Sequence, residues 1–239
     1  MKKRLTQNYY IKLININKNW ISKKKKHISH QVKTPLANIK IYNDLLARND
    51  LSKEEAIDFH IMLNQQINKL DFLMESLIKM SRLETDIIQL NIEKNDLYST
   101  LIEVINHVFL LAEKKHINIE LSKNTHISAL YDEKWTQEAI FNVLENCIKY
   151  SNKNTTITIQ ISKNTFFSKI TITDQGIGIK KENYNNIFQR FYRAQEVQDE
   201  DGIGIGLYLT REILSREEGY ITVQSEYGKG STFTIYLKR

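Results

Sequence analysis

Two hydrophobic periodicities divide the chain. From Phe59 onward, Leu63, Gln66, Leu70, Leu73, Leu77 and Met80 follow alternating steps of four and three, apolar at every place but Gln66. That spacing keeps one face of a helix toward a partner helix over several turns, as in a coiled coil. Ile28, Val32, Leu36, Ile39 and Leu46 draw a similar stripe on the preceding segment, so helices are predicted over 20–48 and 52–86. The link between them, Asn49 to Ser52, is short and polar, and Ser52 followed by Glu55 has the capping-box arrangement. An antiparallel helical hairpin results. Two helices cannot enclose a core alone, so pairing two hairpins in a four-helix bundle is the natural way to bury both seams, and a homodimer is expected.

Beyond about residue 88 the pattern turns to alternating strands and capped helices. Residues 117–122, 155–162, 167–173, 219–226 and 231–237 read as strands, while Asp96 and Asp132 cap helices running to about Lys115 and Tyr150. The fold class is α+β: a basic arm over 1–19, a helical domain over 20–88 and an α/β domain over 89–239. The longest apolar stretch, Leu101 to Ala112, is broken by Glu103, Asn106 and His107, which suits an amphipathic helix rather than a membrane span of about 20 residues. No transmembrane segment or signal peptide is expected. Cys147, alone of its kind, excludes an intramolecular disulfide and fits a buried small hydrophobe in a reducing, cytoplasmic compartment.

Charge is distributed unevenly. The chain carries 34 Lys or Arg against 28 Asp or Glu, a net charge of +6. Residues 1–43 hold eleven of the cations and no acid, so the rest, with 34 less 11 cations against 28 acids, has a net charge of −5. Lys23 to Lys26 suit either a solvated helix face or an anionic lipid surface. Nucleic acid is not an expected partner, because the remaining surface is acidic on balance and carries no DNA- or RNA-reading motif.

At about 100° per residue, His30 lies about 200° from both Ile28 and Val32, on the face opposite the stripe. Lys26, His27, Lys33 and Thr34 stand one turn away, and Pro35 removes the amide that would bond the carbonyl of Gln31. Further along, Asn142 and Asn146 share a helix face with Lys149 and Tyr150 just beyond. Amide oxygens there suit Mg²⁺, and the lysine suits phosphate. Asp174, Gly176 and Gly178 follow directly on a strand, where a carboxylate can accept an amine and glycines admit close approach of a base. Gly202, Gly204 and Gly206 open a helix whose amides and dipole favour an anion. The run is neither a Walker loop, since no Gly-Lys-Ser or Gly-Lys-Thr follows, nor a dinucleotide fingerprint. Between these glycine clusters, Asn183 to Gln198 is polar with Phe188 and Phe191 inserted, the composition of a lid anchored by aromatics.

Residues 29–36, Ser-His-Gln-Val-Lys-Thr-Pro-Leu, resemble the phosphoacceptor box of two-component sensor histidine kinases, usually Ser-His-Glu-Leu-Arg-Thr-Pro-Leu. The asparagine, phenylalanine and two glycine clusters, with Gly228 to Phe233 closing the chain, resemble the boxes of that family's ATP-binding domain, shared more loosely with gyrase, Hsp90 and MutL. The resemblance spans about residues 25–238. It implies a dimeric four-helix bundle followed by an α/β sandwich of the gyrase, Hsp90 and histidine kinase type. It further implies ATP and Mg²⁺ as cofactors, autophosphorylation of His30, and transfer to an aspartate on a response regulator receiver domain, with phosphatase action on it as a further role.

In the sites so implied, Asn146 is the main Mg²⁺ ligand with Asn142 beside it. Lys149 and either Arg190 or Arg193 meet phosphates, Tyr150 neighbours adenine, and Asp174 accepts the adenine amine. Gly176 and Gly178, then Gly202, Gly204 and Gly206, line the nucleotide, and Thr34 positions a water for dephosphorylation. The departures are Ile205 for leucine and Gln31 for an acid; an amide orients the histidine ring but takes no proton. The rival readings are a non-kinase ATPase of the same superfamily and a scaffold with a vestigial ATP site. The basic arm suits either a position beside the inner leaflet, below a membrane sensor, or a kinase served by a separate sensory partner.

Overall fold

In the helical hairpin the predicted seam is the covered one. A computed structural model describes residues 31–48, 50–84, 89–122, 126–198 and 202–239. The chain divides into two compact units between Ile78 and Lys79. Residues 31–46 are helical (α1), and α2 runs Lys53–Glu84. Phe59, Leu63, Gln66, Leu70, Leu73, Leu77 and Met80 are each half-buried or buried, while the positions between them are largely exposed. The rings of Tyr42 and Phe59 stack 6.3 Å apart, and Asn38 Nδ2 donates to Gln66 Oε1 at 3.4 Å. As one index rises the other falls, so the helices are antiparallel. Leu36 departs from its expected place in the buried stripe: it is 43% exposed within a single chain.

The capping box at the start of α2 forms as predicted. Glu55 N donates to Ser52 Oγ at 3.2 Å, and Ser52 N and Oγ return bonds to Glu55 Oε2 at 3.0 and 2.8 Å. Two of the orphan amides of a helix start are thereby satisfied, one at Ser52 and one at Glu55. His30 and the basic arm over 1–19 lie outside the described residues.

The second unit begins its α/β fold at β1 (Glu93–Asp96) and α3 (Leu97–Lys114). After these come β2 (Asn118–Leu121), β3 (Ser128–Tyr131), α4 (Glu133–Tyr150), β4 (Thr156–Lys163), β5 (Phe167–Thr173), α5 (Gly206–Arg216), β6 (Tyr220–Glu226) and β7 (Gly230–Lys238). Five strands form a sheet in the order β2-β4-β5-β7-β6, parallel only at β2 and β4. Alternation dictates its two faces. Ile157, Ile159, Ile170, Ile172, Phe233 and Ile235 are buried on one, while Thr158, Thr171, Thr173, Thr232 and Thr234 are partly exposed on the other. The helices cover the apolar face with their own buried stripes, Leu97, Leu101, Val104 and Val108 on α3, Ile140, Val143 and Leu144 on α4, and Ile213 and Leu214 on α5.

Asp96 and Asp132 cap α3 and α4 as predicted, accepting from Ser99 N and Trp135 N, both at 3.1 Å. The small β1–β3 sheet was not predicted from the pattern. Glu93–Asp96 shows no apolar alternation, and its order comes from pairing with β3 and from Asn95 Nδ2 donating to Tyr131 O at 3.0 Å. Tyr131 is in turn fully buried, its hydroxyl 2.8 Å from Thr100 Oγ1.

Both ends of α4 are held from outside the helix. At its start Glu217, only 3% exposed, accepts from Asp132 N at 3.2 Å and from Thr136 Oγ1 at 2.9 and 3.0 Å. At its end Lys115 Nζ donates to the carbonyls of Ile148, Lys149 and Ser151, a cation where the helix dipole favours one.

Burial, with the Asp132 charge adding to it, pushes the Glu217 carboxyl up to about 8, against bonds from Thr136 and Asp132 N that pull it down. The folded state therefore retains a proton that an unfolded glutamate gives up near pH 4.5. Stability from this group is full below that pH and is lost as pH rises toward about 8, with a slope approaching about 1.4 kcal/mol per pH unit. Glu217→Gln keeps an acceptor for both donors and removes the proton. Thermal unfolding of the two proteins from pH 5 to 8 will show the variant's melting temperature gaining on the wild type as pH rises; parallel curves would refute the assignment.

Candidate nucleotide site

Three backbone approaches assemble the site predicted from the asparagine and glycine clusters. The first joins α4 to the loop after β5. Ile177 N donates to Tyr150 O at 3.2 Å, and Ser151 pairs with Gly176 in an isolated bridge. A Cβ on Gly176 would lie 2.4 Å from Tyr150 O, so no other residue permits this contact. The second joins that loop to β7: Gly176 N and Ser231 N donate to Asp174 Oδ1 at 2.8 and 3.1 Å. The third brings the glycine triplet onto α4, with Gly202 facing Lys149 Nζ and Gly206 facing Asn142 Oδ1, each 2.9 Å from where a Cβ would stand.

Asn142 and Asn146 are oriented by their own helix. Each side-chain NH₂ donates to the carbonyl one turn back, Asn142 to Glu138 O at 2.9 Å and Asn146 to Asn142 O at 2.8 Å. That fixes the amide oxygens as the groups turned away from the backbone, which suits a cation. Asn142 is buried and Asn146 half-buried. Among the described residues no cluster of three or more His, Cys, Asp or Glu could hold a metal. Mg²⁺ does not require one: it keeps several waters and takes one or two protein oxygens together with substrate phosphates. The amide pair fits an ion that arrives with a nucleotide.

Asp174, 6% exposed, stands just past the end of β5, beside Ser231 of β7. Burial pushes its carboxyl above the usual aspartate range, opposed by the amides of Gly176 and Ser231 and by the thiol of Cys147. Cys147 is fully buried, as its place in an apolar run predicted, and burial and the neighbouring Asp174 hold its thiol protonated. Gly178 sits at φ 69°, where a Cβ would clash with Glu226 O. Lys149 Nζ lies over the Tyr150 ring, 5.1 Å from its centroid.

The lid between the glycine clusters is built from three short 3₁₀ turns, Lys181–Asn183, Asn186–Phe188 and Gln195–Val197. Phe188 and Phe191 are buried. Phe191 N donates to Gly204 O at 2.7 Å, which sets the lid backbone against the triplet. Gly204 takes φ 73° there, and a Cβ would stand 2.5 Å from Tyr192 O, so this position requires glycine. Arg193 donates to Val197 O within the lid, whereas Arg190 donates to the Tyr208 hydroxyl on α5. Ile205, the departure from leucine, is buried and gives α5 no side-chain cap, leaving its first amides to other acceptors. Gln31 is half-buried and Thr34 exposed on α1, in the other unit.

Ser231, whose amide bonds Asp174 from 57 residues away, lies in the closing box read from the sequence, which assigns it no role. Tyr208 is not singled out there and has no local signal.

An Asp174→Asn variant should lose about 10- to 150-fold in affinity for an adenine nucleotide, the range for a hydrogen bond to a charged group. An amide that turns its NH₂ toward the base opposes the adenine amine, and its oxygen is the weaker acceptor. Because the carboxyl titrates above the ordinary range, wild-type affinity is present above that raised value and falls as pH drops through it; the variant lacks this acid limb. Calorimetric titration across mildly acid pH checks both outcomes.

The comparisons with known proteins agree with this geometry. The model of the histidine kinase-, DNA gyrase B-, and HSP90-like ATPase family matches residues 131–239. The histidine protein kinase SaeS of Staphylococcus epidermidis is 30% identical over 225 residues, covering 89% of this chain and 62% of that protein. The heme sensor protein HssS of Staphylococcus saprophyticus is 31% identical over 222 residues, covering 89% of this chain and 45% of that protein. The chain thus spans less than two thirds of the length of these relatives. Among solved structures, the Acinetobacter baumannii histidine kinase AdeS superposes with a TM-score of 0.72 at 21% identity over 87% of this chain and 97% of its own. The histidine kinase ThkA, in complex with the response regulator protein TrrA, gives 0.76 at 18% identity over 94% and 63%. With a helical region followed by a mixed-sheet domain that the ATPase family model matches over residues 131–239, and with the boxes of that domain gathered at one site, the chain is similar to the kinase core of two-component sensor histidine kinases.

Proposed function

We propose that the chain binds ATP with Mg²⁺, transfers the γ-phosphoryl group to His30, and passes it to an aspartate of a response regulator receiver domain. The observation that carries the proposal is the convergence of Asn142 and Lys149 on the bare backbone of Gly206 and Gly202, in the same domain as the buried carboxylate of Asp174. Such a groove meets phosphate with amides and a cation at one end and an amine-bearing base with Asp174 at the other. The phosphoacceptor box argues for a kinase over an ATPase used only as a clamp, and the fitted site argues against a vestigial one.

Residue roles follow from chemistry. Asp174 accepts the adenine amine, Tyr150 lies beside the base, and Lys149 and Arg190 meet phosphates. Asn146, helped by Asn142, holds Mg²⁺, which supplies neutralisation of the charge developing between the phosphates. A neutral imidazole nitrogen of His30 attacks the γ-phosphorus as the bond to the β,γ-bridging oxygen breaks and ADP departs. The phosphorylated ring then releases its other N–H proton to water, since the Gln31 amide accepts none at neutral pH; the Gln31 oxygen keeps the ring oriented. Thr34 positions a water for the reverse duty, dephosphorylating the partner.

A homodimer is part of the same reading. Away from the hairpin's own seam, Ile57, Ile61, Phe72 and Ile78 of α2 and Ile41 of α1 are all 45% exposed or more. A second hairpin of the same sequence would cover them in a four-helix bundle. Among the described residues no helix is long and apolar enough to cross a membrane; ATP and receiver domains place the work of this core in the cytoplasm, whether below a membrane sensor or beside a sensory partner.

His30→Ala should abolish labelling of the protein by γ-labelled ATP while nucleotide affinity stays near wild type; the wild-type label should survive alkali and be lost in acid. Labelling of the variant would exclude His30 as acceptor. Gln31→Glu should raise the autophosphorylation rate only a few-fold, well short of the roughly 10²- to 10⁴-fold that full general-base help supplies. A hundredfold acceleration in a single-turnover assay would show that proton removal, not docking of the ATP domain, limits the wild type.

A further inference from the structure

The arginine at the triplet end of the site is held by a residue that no sequence box assigns. Tyr208 lies on the first turn of α5, two residues after Gly206, and is 6% exposed. Its ring stacks against Arg190, whose guanidinium carbon stands 4.3 Å from the ring centroid. Arg190 Nη2 also donates to the Tyr208 hydroxyl. Burial, with the charge of Glu212 one turn along α5 adding to it, raises the Tyr208 hydroxyl's pKa against the pull of Arg190, and Glu212 pairs with Arg211 at 4.0 Å. Arg211 lies over the same ring at 5.8 Å. Face and hydroxyl therefore engage one guanidinium together.

The backbone beside Arg190 is already fixed to the triplet by the bond from Phe191 N to Gly204 O and by the left-handed Phe191, at φ 59°. An arginine side chain carries about 2 kcal/mol of rotamer entropy, and the Tyr208 ring and hydroxyl restrict that of Arg190. We propose that Tyr208 is a positioning residue that holds the Arg190 guanidinium ready for the terminal phosphate, so that the site favours ATP over ADP. This deepens the nucleotide reading above and rests on it. An arginine already stacked and hydrogen-bonded loses little freedom when phosphate arrives, and preorganised charge is worth more than charge that must be recruited. The triphosphate carries one more phosphate than the diphosphate, so the benefit falls on ATP. Arg193 donates to Val197 O inside the lid.

The test is calorimetric titration of Mg²⁺-ATP and Mg²⁺-ADP into the full chain carrying His30→Ala, which prevents turnover. Tyr208→Leu should reduce the ATP-over-ADP preference roughly threefold to thirtyfold, the span of a cation–π contact, while ADP affinity changes little. Tyr208→Phe, which keeps the ring and loses the hydroxyl, should fall between. Arg190→Ala should lower the preference at least as far, and adding Tyr208→Leu to it should cost nothing more. Equal loss of ATP and ADP affinity in both Tyr208 variants, or full additivity with Arg190→Ala, would overturn the proposal, because a tyrosine that merely packs α5 behaves that way. Asp174→Asn serves as the reference: it should weaken both nucleotides alike. If it changes neither, the nucleotide site itself is misassigned and this inference falls with it.

Discussion

Bare backbone is what the nucleotide domain is arranged around. A methyl group at Gly202 or Gly206 would stand 2.9 Å from Lys149 Nζ or Asn142 Oδ1, so the loop and α4 can meet only while those positions have no side chain. Asn142 Oδ1 and Lys149 Nζ of α4 consequently face the bare backbone of Gly206 and Gly202 rather than packed side chains. Such a surface has donors, a cation and amide oxygens within one short stretch, and it has room. Bulk at either glycine would force the two elements apart and separate the groups that the proposed phosphate chemistry needs together.

That arrangement survives because α4 is fixed independently of any ligand. Its N-terminus is tied through Asp132 and Thr136 to Glu217, and its C-terminus through three carbonyls to Lys115. Its middle is tied to α5 by Thr210, whose hydroxyl bonds Ala139 O at 3.2 Å and Gly206 O at 3.1 Å. Every one of these polar groups is buried or half-buried, and leaving one unpaired would cost about 1–3 kcal/mol. The network thus fixes the angle at which α4 presents Asn142, Asn146 and Lys149, while the sheet fixes Asp174 against Gly176 and Ser231. The lid has a different character: it is three short 3₁₀ turns pinned by the buried Phe188 and Phe191, by the bond from Phe191 N to Gly204 O, and by the side chains of Tyr184 on Ser225 and Arg190 on Tyr208. Short turns without a regular hydrogen-bond ladder of their own are the elements able to open and close.

Much of this was legible because much of it is local. The caps at Ser52, Asp96 and Asp132 involve residues three apart, and the sheet's faces follow from alternation along single strands. The alternating spacing of α2 marked its covered face correctly, since helix geometry converts spacing directly into direction. Where an element owed its order to distant partners, the pattern was silent. Glu93–Asp96 is a strand only because β3 lies beside it, and Leu36, in step with its stripe, is left uncovered because α2 within one chain does not reach it.

The sequence by itself determined the helical hairpin, the five main strands, and the residue types of the site: two asparagines one turn apart, a carboxylate at a strand end, and glycines where bulk would block. These follow from short-range periodicity and from chemistry that each residue carries wherever it lies. Only the tertiary structure decided which groups meet. The order β2-β4-β5-β7-β6 brings Ser231 to Asp174 across 57 residues and the packing of α5 brings Glu217 to Thr136 across 81. Arg190 meets Tyr208 where the lid's backbone is turned at Phe191 onto Gly204. Such pairings depend on how whole surfaces pack against each other, and no window along the chain contains both partners.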